Sequence, residues 1–176
     1  MKFTRSKLDG AFIIDLDQFN DERGFVAYAW SAQEFIKLGL SAKLDEIIVS
    51  YSLRKGTLRG MHYQNDPFAQ AKLVRCTQGA IYDVAIDLRV QSPTYKKWEA
   101  VELTAQNHRM FYIPEGCAHG FQTLEDQTEV FYQMSNVYAP DHANGVRWND
   151  PAFGVEWPED ELTIIDRDRN YPDFRE

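Results

Sequence analysis

Short runs of apolar, β-branched and aromatic residues recur along this chain, with turn signals between them. Glu46–Ser52 carries Ile47, Ile48, Val49 and Tyr51. Residues 79–88 alternate, with Tyr82, Val84 and Ile86 on one face and Asp83 and Asp87 on the other. Such alternation is the period-two pattern of a strand. Residues 11–14, 24–30, 72–76, 120–124 and 129–134 read as further strands, as do Trp98–Thr104 and Met110–Ile113. Gln78-Gly79, Ser92-Pro93 and Pro114-Glu115-Gly116 mark turns between them. One helix is well signalled: Ser31 stands at its N-cap position and Glu34 follows three residues later. Phe35, Leu38 and Leu40 supply apolar contacts, and Gly39 ends it. Strands at roughly 8–12-residue spacing with little helix between them predict an all-β fold, a β-sandwich or barrel with a few short helices. A parallel α/β fold would need helices between the strands. With no linker, repeat or low-complexity segment, residues 1–176 are expected to form a single domain.

Composition narrows the partners. A hydrophobic fraction of 44% in 176 residues supports a sizeable core and excludes a disordered chain. The net charge of -8 argues against a nucleic-acid partner, whose footprint is a basic patch. It leaves room for an anionic small ligand held by local Arg and Lys residues. Cys76 and Cys117 sit in apolar stretches without Cys-x-x-Cys spacing and read as buried free thiols. There is no basic segment followed by an apolar run at the N-terminus, and no apolar stretch approaches the ~18 residues of a membrane helix. A cytoplasmic protein without a membrane partner is expected.

Candidate chemistry begins at Leu58-Arg59-Gly60-Met61-His62-Tyr63-Gln64. In a strand, residues two apart share a face. His62, Gln64 and Gly60 then point one way, and Gly60 would leave space for a ligand beside His62. Arg59 points the other way unless a bulge intervenes. Taken alone, a histidine in such a strand is more often structural than functional. His119, after the Pro114-Glu115-Gly116 turn, reads either as a capping residue or as a second imidazole in the same cavity. Tyr132 alone is more often core than catalyst.

The segments Asp21-Glu22-Arg23-Gly24-Phe25, Leu58 through Gln64, Lys72-Leu73-Val74-Arg75-Cys76, Ile113 through Phe121, and Trp148-Asn149-Asp150-Pro151 resemble those of the dTDP-4-dehydrorhamnose 3,5-epimerase family. They keep the family's order and similar intervals, from about Gly10 to Pro172. The resemblance implies a cupin-type jelly roll, a homodimer, a nucleotide-sugar substrate bound inside the barrel, and neither metal nor cofactor. It also implies roles. His62 matches the general base and Asp168 its carboxylate partner, with Asp166 a rival in a tail that departs locally from the family pattern. Tyr132 matches the general acid. Lys72 and His119 match residues near the reactive face of the sugar. Arg59 and Arg23 match phosphate-contacting arginines, Arg23 reaching across the dimer. Gln64 shares the ligand face with His62, and Tyr138 matches an aromatic near the ligand.

These residue types suit epimerisation beside a ketone. Removing a proton next to C4 gives an enolate on O4. A neutral imidazole, whose ordinary pKa is about 6.5, can take that proton while a carboxylate orients it. Donors near O4 steady the enolate. A neutral tyrosine, pKa about 10, can return a proton from the opposite face. The family's Gln and Asn in the strand before the arginine motif correspond to Ile47 and Val49, and a family Glu to Tyr28. These apolar and aromatic exchanges in a ligand-facing region leave another nucleotide, another deoxysugar or inversion at one carbon only as alternatives. A 3,4-ketoisomerase, which shares the implied fold and base, is a further alternative, against which Tyr132 favours epimerisation. A metal-dependent cupin would need three or four ligands. His62 and His119 offer two imidazoles, while His108 and His142 fall in loops. An inactive sugar-nucleotide binding module would not need His62, Lys72, His119, Tyr132 and Asp168 together.

Overall fold

The computed structural model describes residues 1–175, and strands make up most of its regular structure. In chain order they are β1 (Lys2–Arg5), β2 (Phe12–Asp15), β3 (Phe19–Asp21), β4 (Gly24–Val26), β5 (Glu46–Ser52), β6 (Leu58–Gln64), β7 (Lys72–Gln78), β8 (Ala80–Asp87), β9 (Trp98–Thr104), β10 (Met110–Ile113), β11 (Cys117–Thr123), β12 (Thr128–Met134) and β13 (Ala143–Gly145). Helices α1 (Ala32–Lys37) and α2 (Asp166–Arg169) and a 3₁₀ turn at Pro140–His142 complete the described elements.

The strands build a six-stranded sheet, β1-β2-β10-β7-β12-β5, and a five-stranded sheet, β13-β6-β11-β8-β9. Hairpin β3–β4 stands apart from both. Neighbouring strands run antiparallel throughout the two sheets. The chain crosses repeatedly from one sheet to the other, as in a cupin-type jelly roll. Between the sheets, Val74, Cys76, Phe111, Ile113 and Val130 of the first meet Ile81, Ala85, Leu103, Cys117 and Phe121 of the second. Each of the Val, Leu, Ile and Phe side chains among them contributes roughly 1.5–3 kcal/mol by leaving water.

The outer faces are covered as well. Phe35 of α1 packs on Phe12, Ile14, Leu73, Met110 and Tyr112 of the first sheet. Val146, Phe153 and Trp157 of the C-terminal segment cover Met61, Val84, Ile86 and Ala118 of the second. This double cover gives β8 its pattern. Tyr82, Val84 and Ile86 lie under the C-terminal layer, while Asp83 and Asp87 turn into the interior and are fully buried. Asp87 is satisfied there by Arg89, Ser92 and Thr94, which tie down the β8–β9 turn. Ser31 occupies the N-cap of α1 without a side-chain cap bond, so the predicted capping box does not form. Gly39 leaves the helix at a φ of 72°, and Leu40 is buried while Leu38 stays exposed.

Candidate active site

Strand β6 is bulged where the chemistry-bearing residues cluster. His62 lies opposite His119 and Arg59 opposite Phe121, so β6 spends one residue more than β11 between those two pairs. The bulge turns Arg59 toward the side that His62 occupies. Its guanidinium donates to Ser52 Oγ at 3.2 Å and to the Tyr51 carbonyl at 3.1 Å, across the mouth in the opposite sheet. Gly60 sits in the bulge at a φ of 132°. A Cβ there would come within 2.5 Å of Gly120 Cα, so this glycine permits close strand approach and does not leave ligand space as its sequence position suggested.

The tail reaches the same point. Thr57 and Thr163 form a parallel bridge, and Leu58 N–H donates to the Thr163 carbonyl at 2.9 Å. That docking places α2 behind His62. His62 Nε2 lies 2.8 Å from Asp168 Oδ1, and the Gly60 N–H donates to Asp168 Oδ2 at 3.1 Å. Asp168 is buried and Asp166 exposed, which decides between the two carboxylates. Burial works to raise the Asp168 pKa, but bonds from His62, Gly60 and Arg167 outweigh it and leave the carboxyl lowered. A carboxylate only accepts, so the 2.8 Å contact selects the tautomer with the proton on Nε2 and the lone pair on Nδ1, against the Arg167 guanidinium nitrogen that stands 3.1 Å from the same Nε2. Arg167 joins the group, its Nε donating to Asp168 Oδ1 at 3.1 Å.

A cleft opens in front of His62. One lobe of about 160 Å3 is lined by His62, Lys72, Tyr132, Tyr138, Arg167 and Tyr171. A second of about 320 Å3 adds Arg59, Ser50 and Asp168 and shares His62, Tyr132 and Arg167 with the first. His62 and His119 come from the five-stranded sheet, Lys72 and Tyr132 from the six-stranded sheet facing it. An imidazole and a phenol therefore stand on opposite walls. Burial raises the Tyr132 pKa, which keeps the phenol protonated. Burial also pushes the Lys72 ammonium down to about 8.

The model of the dTDP-4-dehydrorhamnose 3,5-epimerase family matches residues 5–176. The chain belongs to that family. A dTDP-4-dehydrorhamnose 3,5-epimerase from Methanothermobacter thermautotrophicus is 42% identical, the match covering 99% of this chain and 95% of the relative. The crystal structure of an Elizabethkingia anophelis dTDP-4-dehydrorhamnose 3,5-epimerase superposes with a TM-score of 0.96 at 36% identity, covering 99% of this chain and 96% of that one. A Bacillus anthracis dTDP-4-dehydrorhamnose 3,5-epimerase, solved with TDP and PPi bound, gives 0.93 at 40% identity over 98% and 99% of the two chains. Family members are isomerases, and this chain is an enzyme of that class.

The cleft brings together His62, Asp168, Tyr132, Lys72, Arg59 and Tyr138. His119 stands beside it, buried, its Nε2 hydrogen-bonded to Asp83 Oδ1 at 2.8 Å, with its ring 6.3 Å from that of Tyr132. Burial raises the Asp83 pKa against the pull of His119. Asp83 Oδ2 has no hydrogen-bond partner among the described residues. Gln64 lines the cleft, but its amide is engaged by Phe68, Val137 and Ala139. Arg23 sits at the turn of hairpin β3–β4 with 81% of its side chain exposed, paired to Asp21 and away from the cleft of its own protomer.

On β5 the residues lining the cleft are Ile48 and Ser50. Ile47 and Val49, expected to face the ligand, point outward and are exposed, because the strand's period puts them on the other face. Tyr28 is exposed too. His108 packs on Phe25 and His142 on Phe68, away from His62. Among the described residues no three His, Cys, Asp or Glu side chains gather as a metal-ligand set. Sequence reasoning missed Asp83, Arg167 and Tyr171 as parts of the site. The available signals were a carboxylate inside an otherwise apolar strand and an arginine adjacent to Asp168.

Proposed function

We propose that the enzyme inverts C3 and C5 of dTDP-4-dehydro-6-deoxyglucose, giving dTDP-4-dehydrorhamnose. His62 Nδ1 removes the proton beside the C4 ketone, and Asp168 stabilises the imidazolium that forms. Lys72 and His119 lie near the enolate, and Tyr132 delivers a proton to the opposite face. Arg59 and Arg23 grip the diphosphate. One observation carries the reading: His62 and Tyr132 line a single cleft from opposing sheets, the arrangement that inversion at carbon requires. The family relatives' names supply the substrate.

The working unit is a homodimer, in which the β3–β4 hairpin of one protomer carries Arg23 to the cleft of its partner. Its compartment is the cytoplasm. The two buried free thiols suit a reducing environment, and among the described residues no helix is long and apolar enough to cross a membrane.

In heavy water the enzyme is expected to exchange both the C3 and C5 hydrogens of the substrate, read by NMR. General acid–base steps contribute roughly 10²–10⁴-fold each. His62→Ala should therefore abolish exchange, while Tyr132→Phe slows inversion and leaves some wash-out. Absence of exchange by the native enzyme would sink the activity, and exchange at one carbon only would make it a monoepimerase.

A further inference from the structure

The loop after β12 carries Tyr138 past the mouth of the cleft, and side chains hold its backbone on both sides of that residue. Glu46 of β5 accepts the Tyr138 N–H at Oε2, 3.0 Å away. Gln64 of β6 accepts the Ala139 N–H at Oε1, 2.8 Å, and donates from Nε2 to the Val137 carbonyl at 3.1 Å. Gln70 donates to the Asn136 carbonyl at 2.8 Å. Glu46 and Gln64 belong to different sheets, so the loop is tied across the opening between them. Gln64 and Gln70 are both buried, and a buried carboxamide is tolerated only when its donors and acceptor are met. For Gln64 the loop supplies the Val137 carbonyl and the Ala139 N–H, and the Phe68 carbonyl takes a further amide hydrogen at 2.6 Å. Tyr138 is 54% exposed, and its side chain forms part of the cleft wall beside Tyr171 and Arg167. Fixing its backbone before a ligand arrives removes an ordering cost from binding.

We propose that Glu46 and Gln64 are positioning residues that hold the Tyr138 ring as a preformed wall against the bound substrate, so that they set affinity and not chemistry. The inference rests on the nucleotide-sugar reading above. Glu46 is only partly buried at the start of β5, so its truncation spares the core. Glu46→Ala is expected to raise KM about tenfold with kcat within about twofold of native. Glu46→Gln keeps an acceptor oxygen and should restore KM. Tyr138→Ala should raise KM by itself, and adding Glu46→Ala to it should change nothing further. A KM within about twofold of native in Glu46→Ala, a fall in kcat instead, or a full second effect in the Tyr138→Ala background would overturn the proposal. Amide hydrogen exchange at Tyr138 and Ala139, measured without substrate, reads the strap alone and should quicken in Glu46→Ala. A native enzyme inert toward the sugar nucleotide would defeat the functional reading, and the amide exchange would still decide the strap.

Discussion

Lys72 shows how burial sets the working range of one residue. Its ammonium is buried without an ion pair among the described residues, and burial lowers its pKa to about 8. A lysine lowered in this way carries its charge below that value and loses it as the pH rises through it. The ammonium is therefore charged at neutral pH, and if it steadies the enolate as proposed, kcat should fall on the alkaline side near pH 8. Lys72→Met is expected to lower kcat on the order of 10²-fold and to remove that limb from the profile. The same descending limb in Lys72→Met, measured by kcat against pH, would assign the titration to another group. Residues of this kind were only partly legible. His62, Lys72 and Tyr132 each lie in an ordinary strand pattern, where a lone polar side chain reads as structural. The roles proposed for them came from motif order along the chain, because the contacts that join such residues span far separations in sequence, as His62 and Asp168 do. Asp83 was visible as a carboxylate on one face of β8, but a single strand does not reveal which of its faces looks inward once both are covered.

At the scale of elements, the pair β6–β11 holds the site together through two glycines. A Cβ on Gly120 would come within 2.7 Å of the Arg59 carbonyl and 3.0 Å of Gly60 Cα, both backbone atoms that cannot step aside without moving the bulge. Gly120→Ala should cost roughly 1–3 kcal/mol, the usual range for overpacking. It should also reduce activity beyond that loss, since the bulge directs Arg59 into the cleft. Thermal unfolding and kcat measured together check this, and a fully stable, fully active Gly120→Ala would show that the strands need not approach so closely. Strands with strong alternation were readable to within a few residues, β5, β9 and β10 with their observed limits. β1 and β13 were not. Lys2-Phe3-Thr4-Arg5 carries a single large apolar side chain, and Ala143-Asn144-Gly145 has no β-favouring residue. Both exist because a neighbouring strand offers its edge, β2 for the one and β6 for the other. The α2 turn likewise depends on the Thr57–Thr163 bridge, a contact that no local pattern announces.

The whole molecule leaves one surface unaccounted for within a protomer. Ile47, Val49 and Tyr51 project from β5 at the free edge of the six-stranded sheet, 50%, 57% and 45% exposed. Phe19, Val26 and Tyr28 of the detached hairpin region are exposed by 65% to 70%. From sequence Ile47, Val49 and Tyr28 read as part of a ligand-facing region, because an apolar side chain on a strand does not announce whether it meets a ligand, the core or a second protomer. An unprotected sheet edge with an apolar face invites pairing, and a stable interface needs roughly 800 Å2 per partner. A homodimer that covers this strip would also give Arg23 a purpose, because its guanidinium lies far from the cleft of its own chain. Two variants separate assembly from catalysis. Val49→Lys places a charge in the strip and should shift the protein to monomer in sedimentation, with activity falling alongside. Arg23→Ala should leave the dimer intact and, if Arg23 makes the phosphate contact proposed for it, raise KM. Dimers that persist in Val49→Lys would move the interface elsewhere. An Arg23→Ala enzyme with native KM would show that each cleft is complete within one chain.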